Sequence, residues 1–165
     1  MKFLVYFFLI FYTSLLAQCN KVDTSRFNIL DDKVFDKKTQ LIWMRCSIGS
    51  KWKDNIGCKQ IPNTMSFNEA KDVKNSLNNG WRIPTIEELK TIFIDQCEHS
   101  ALNSKLFPDI KLLNNFAPYW SSTPVEQMPS LIYYIDFIDK KLDAHSKGFS
   151  MFLRLVKTKS LSKNE

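Results

Sequence analysis

Two Ser/Thr-x-x-Glu signatures lie close together in the middle of the chain, at Ser66-Phe67-Asn68-Glu69 and Thr85-Ile86-Glu87-Glu88. Each is a capping box, in which the hydroxyl and the carboxylate satisfy the first free N–H groups of a helix. Behind Ser66, residues Phe67, Ala70, Val73 and Leu77 recur at three- and four-residue spacing and predict one apolar helical face. Asn78-Asn79-Gly80 ends that helix, with Gly80 as its expected left-handed cap. Behind Thr85, residues Ile86, Leu89 and Ile92 or Phe93 give the second buried stripe. Pro84 stands just outside this helix and pushes Ile83 into extended geometry. Asn78–Lys90 therefore reads as helix end, short extended crossing, helix start.

The flanking sequence reads as strands. Phe27–Leu30 and Lys33–Phe35 are short apolar stretches. Val34-Phe35, a polar turn at Asp36–Gln40 and a strand at Leu41–Arg45 form a predicted hairpin. Tyr119–Pro124 reads as a strand ending at the proline. Ser130–Asp139 is the clearest strand, and its two largely apolar faces place it centrally in a sheet. The polar run to Gly148 reads as a connection, and Phe149–Lys157 as a last strand. Strands, two helices, then more antiparallel strands make an α+β domain. The predicted organisation is a signal peptide over 1–17, an N-terminal segment over 18–26, one domain over 27–158 and a polar tail over 159–165.

The first of these is read from Met1-Lys2 followed by the apolar run Phe3–Ala17, the pattern of a secretory signal. The run is short for a membrane span, which needs about 20 apolar residues. Cleavage after Ala17 releases the protein to the periplasm, cell surface or medium. Lipidation at Cys19 is the disfavoured route, because Gln18 occupies a position where lipoprotein signals carry a small residue. Membrane attachment is expected only through a lipidated Cys19 or an uncleaved signal.

An exported chain with four cysteines favours disulfides. Cys46 and Cys58 bracket a glycine-containing loop and are expected to pair, which leaves Cys19 for Cys97 if Cys19 is not lipidated and Cys97 an odd thiol if it is. Neither a zinc site nor any other metal or cofactor is expected, since the spacings fit no ligand pattern and only two histidines occur. The net charge of +6 is spread along the chain and suits anionic glycans or membrane surfaces. Nucleic acid is not an expected partner of an exported protein.

Four segments in order resemble the Lcl C-terminal domain family, named for the end domain of a bacterial collagen-like adhesin. They are Thr39–Gly49 (T-Q-L-I-W-M-R-C-S-I-G), Gly80–Leu89 (G-W-R-I-P-T-I-E-E-L), Ala101–Pro108 (A-L-N-S-K-L-F-P), and the closing pieces Y-W-S-S-T, Y-Y-I-D-F and L-R-L-V-K. The likeness spans Phe27–Lys157. It implies a C-type-lectin-like fold with two helices and small antiparallel sheets. It also implies an exported or surface-associated protein; some members are adhesin modules for sulfated or anionic polysaccharides. The chain departs from the pattern in three ways. It has no Gly-X-Y repeat, it carries Gln40 where glycine is usual, and it lacks the Glu-Pro-Asn type tripeptide of calcium-dependent sugar binding. Trp81–Glu88 also resembles a motif of formylglycine-generating enzymes, but the reactive C-terminal cysteines of those enzymes are missing here.

Several residues are candidates for function. Trp81 and Arg82 suit sugar stacking and carboxylate or sulfate binding. The favoured reading is structural: Trp81 fills the core, Arg82 pairs with a carboxylate such as Glu88, and Pro84 sets the helix start. Trp120, beside Ser121-Ser122-Thr123, is expected to belong to a core strand. Lys51-Trp52-Lys53, an aromatic between two cations on a constrained loop, is the candidate ligand-binding site. His99 and His145 are isolated, and Glu87-Glu88 point to different helix sides, so no catalytic group is expected. The sequence thus predicts an exported non-catalytic binding module for anionic or sulfated glycans. The alternative is a structural protein of a cell-envelope assembly with a protein partner.

Overall fold

The structure, a computed structural model, describes residues 24–77, 79–94 and 100–159. Three strands open it: β1 (Phe27–Leu30), β2 (Lys33–Asp36) and β3 (Leu41–Met44). Then come the short β4 (Lys51–Lys53), β5 (Gly57–Lys59) and β6 (Thr64–Met65). Helices α1 (Phe67–Ser76) and α2 (Ile86–Ile92) follow, and a 3-10 turn occupies Pro108–Leu112. The chain closes with β7 (Pro118–Val125), β8 (Met128–Asp136), β9 (Lys141–Ser146), β10 (Met151–Phe152) and β11 (Val156–Thr158). The fold is α+β.

Three sheets result, with strand orders β1-β2-β3-β11, β6-β10-β7-β8-β9 and β4-β5. The expected hairpin is present: β2 and β3 pair antiparallel, Val34 opposite Trp43. Gln40 turns that corner with φ 58°, a left-handed conformation that favours glycine. Strand β8 lies between β7 and β9, as its two apolar faces predict.

The apolar residues form two clusters. One gathers Trp43, Leu89, Ile92, Leu102, Phe107, Tyr119 and Phe137 between α2 and the sheets. The other gathers Phe67, Ala70, Trp81, Trp120, Met151 and Leu155 beneath α1. Both capping boxes form, so both helices start where the sequence places them.

The structure corrects several expectations. Helix α1 stops at Ser76, with Leu77 extended as its cap. Gly80 is left-handed, φ 77°, but lies beyond the helix end and turns the connection instead. The polar run before Gly148 contains β9, an edge strand with both faces largely open to water, so its side chains carry no apolar alternation. The expected last strand is two strands, β10 and β11, separated by Leu153–Leu155, where Arg154 turns into the interior. Lys51-Trp52-Lys53 is not a loop but strand β4, paired with β5 inside the disulfide. Strand β8 ends at Asp136, three residues early, because Asp136 Oδ1 accepts the N–H groups of Ile138 and Asp139 and folds them into a turn. Residues 1–17, Cys19, Cys97 and His99, with the expectations attached to them, lie outside the described residues.

Candidate functional site: a basic cleft beside Arg82

The crossing between the helices is held on both sides. Arg82 and Val156 exchange two backbone hydrogen bonds, at 2.9 and 3.0 Å. Two residues on, the Pro84 carbonyl accepts the Ser122 N–H at 2.7 Å, tying the same segment to β7. Trp81 is buried in the cluster under α1, and Lys157 lies over its ring at 4.9 Å. Trp120 is fully buried; its indole N–H donates to the Met65 carbonyl at 2.8 Å, and Phe67 meets its ring edge-on. Trp81 and Trp120 therefore present no open stacking face.

The Arg82 guanidinium meets Glu88 through two hydrogen bonds, at 2.7 and 2.5 Å. Glu88 also accepts the Thr85 backbone N–H, so one carboxylate caps α2 and anchors the crossing. Burial pushes the Glu88 carboxyl up, but the bonds from Arg82 and Thr85 outweigh it and hold its pKa below the ordinary value. The Glu88 bonds raise the Arg82 pKa in turn.

Around this pair opens a cleft of about 540 Å³, lined by Phe67, Lys71, Lys74, Arg82, Ile83, Thr85 and Ser122. Lys71 and Lys74 reach it from α1, one helical turn apart. Lys71 lies over the Phe67 ring at 5.7 Å. Neither lysine forms an ion pair among the described residues. Arg82 is paired with Glu88, and no carboxylate is among the lining residues. The cleft thus combines cations and hydroxyl groups with an apolar wall, which is the chemistry of an anion site.

The residues singled out in β4 are arranged differently. Strand alternation puts Lys51 and Lys53 on one face and Trp52 on the other. Trp52 is half-buried against the Arg45 guanidinium, 4.5 Å from its ring centre, and its N–H donates to Asp54. Arg45 is itself spent on the carbonyls of Asp31, Lys105 and Leu106. The two lysines stay exposed, without an aromatic between them on their own face. The Cys46–Cys58 disulfide closes this hairpin, with the Cα atoms 5.6 Å apart.

One polar group is absent from the sequence reading. Arg154, fully buried, donates to Asp109 at 2.7 Å, to Ser47 Oγ, and to the carbonyls of Met44 and Arg45. The Tyr119 hydroxyl joins Ser47 Oγ at 2.7 Å, and burial pushes its pKa up to about 12. A lone arginine inside Phe152-Leu153-Arg154-Leu155-Val156 was the available signal, because a charge in an apolar run needs a buried partner. Among the described residues no group of three or more His, Cys, Asp and Glu side chains is placed to hold a metal. No helix among them is long and apolar enough to cross a membrane.

Comparison with the curated proteins and with the solved structures finds no match. The model of the Lcl C-terminal domain matches residues 32–157, from the turn before β2 to β11. That range takes in both helices, the disulfide hairpin, the Arg82 crossing and the buried Arg154, and the chain belongs to the Lcl C-terminal domain family.

Proposed function

We propose that the chain is an exported, non-catalytic binding module that takes anionic or sulfated glycans in the cleft beside Arg82. The observation that carries this reading is the pair of lysines, Lys71 and Lys74, lining a cleft that has no carboxylate among its lining residues. Thr85 and Ser122 supply short-range polar contacts beside the apolar edges of Phe67 and Ile83. The Cys46–Cys58 disulfide is consistent with export.

The test is binding to a sulfated polysaccharide and to its uncharged counterpart, across a salt series and with or without chelator. Binding should require sulfate, weaken with salt and ignore the chelator. Lys71→Ala with Lys74→Ala should weaken it on the order of tenfold, as the loss of two charge-assisted contacts predicts. Lys51→Ala with Lys53→Ala should leave it unchanged. The reverse ranking would move the site to β4, and an absence of binding to any polyanion would sink the reading.

A further inference from the structure

Beyond the anion cleft, and independent of it, lies the open edge of the five-stranded sheet. Strand β9 ends that sheet, with β8 on one side and no strand on the other among the described residues. Helix α2 packs against β7 and β8. A groove remains between helix and edge. It consists of two adjoining cavities of about 460 and 190 Å³ that share Lys90 and Leu142. Tyr133, Ile135 and Phe93 extend its apolar lining, and Leu142 is 43% exposed.

The backbone register identifies which residue faces outward. Pro118, which has no N–H, sits opposite Asp136, and Phe137 donates to the Ala117 carbonyl. Antiparallel alternation then aims the peptide groups of Asp136, Tyr134 and Ile132 at β9, where they meet Lys141, Asp143 and His145. Leu142, Ala144 and Ser146 are left facing the open edge. Asp143 caps the Ala144 N–H, and the Ser146 carbonyl accepts from Phe149. Of these three outward-facing positions, Leu142 is the one for which neither the N–H nor the carbonyl is taken by such a bond among the described residues.

A two-fold pairing centred on Leu142 sets Leu142 against Leu142 of a second copy. Lys141 then falls opposite Asp143, and Asp143 opposite Lys141. In the single chain these two side chains form an exposed ion pair along the strand, at 2.8 Å. Across a two-fold they would form two complementary cross-strand pairs on one face, with the leucines meeting over the groove on the other. Moving the centre to Ala144 loses this match, because it sets Lys141 against Lys147. We propose that the partner of this edge is a second copy of the same chain, paired antiparallel through β9 and centred on Leu142, so that two five-stranded sheets become one.

The experiment measures self-association of the purified chain by sedimentation equilibrium over a series reaching millimolar concentration, together with cysteine cross-linking. The wild type should form a dimer. Lys141→Asp or Asp143→Lys alone should raise its dissociation constant on the order of tenfold, since opposed like charges replace the pairs. The double exchange, Lys141→Asp with Asp143→Lys, should restore it. Leu142→Cys should yield a reducible covalent dimer under mild oxidation. Asn28→Cys, an exposed thiol on β1 at the edge of the other sheet, should not. A chain that stays monomeric throughout overturns the proposal. So does a dimer that the double exchange fails to restore, or one that cross-links through residue 28 and not 142.

Discussion

Arg154 and Asp109 form the most enclosed ion pair described, with side chains 1% and 0% exposed. Removing one partner leaves a charge without water or counterion. Asp109→Asn is expected to cost about 3–5 kcal/mol in chemical denaturation. Replacing both, Arg154→Met with Asp109→Leu, should cost less than the single change, because no buried charge is left behind. The same cluster gives the molecule an alkaline limit. Tyr119 is held neutral, its pKa raised from 10.0 to about 12, so the folded state keeps a proton that the unfolded chain releases. Its contribution is fully present below pH 10 and is lost as the pH rises from about 10 to about 12. Tyr119→Phe should flatten that part of a stability–pH curve. Of this network the sequence shows only the oddity of an arginine among apolar residues. Asp109 lies 45 positions away, and nothing near it marks it as the partner.

The elements were legible where a local contact defines them. Both helices begin at residues whose side chains bond three positions on, and the hairpin of β2 and β3 is specified by a polar turn between apolar runs. Thr85→Ala should remove about 1 kcal/mol, since it deletes the hydroxyl that accepts the Glu88 N–H. Gln40→Gly should do the opposite and stabilise by roughly 0.5–1 kcal/mol, because it relieves a left-handed residue at a turn. Thermal or urea unfolding of the two variants checks both signs. Elements without a local signal are not legible in the sequence. Strand β9 is polar because it is an edge, and β10 and β11 are divided because Arg154 must reach Asp109.

Across the whole molecule, the Cys46–Cys58 disulfide restrains the unfolded chain more than it shapes the folded one. Cys46→Ser with Cys58→Ser should lower stability by about 3 kcal/mol on the chain-entropy account. The loss should appear as a lower denaturation midpoint, without loss of the cleft, whose lining residues lie outside the hairpin. The split of duties is then clear. Local chemistry determined the two helices, the first hairpin, the disulfide and the α+β character, because each rests on residues close in sequence. The long-range pairings decided the rest. Arg82 meets Val156, and Pro84 meets Ser122, so the crossing is fixed beside α1 and its two lysines. Only that closure brings Lys71, Lys74 and Arg82 around one cleft, buries Trp81 and Trp120, and leaves β9 open at the sheet's edge. None of these follows from neighbouring residues, because each depends on which distant strand a segment finds as its partner.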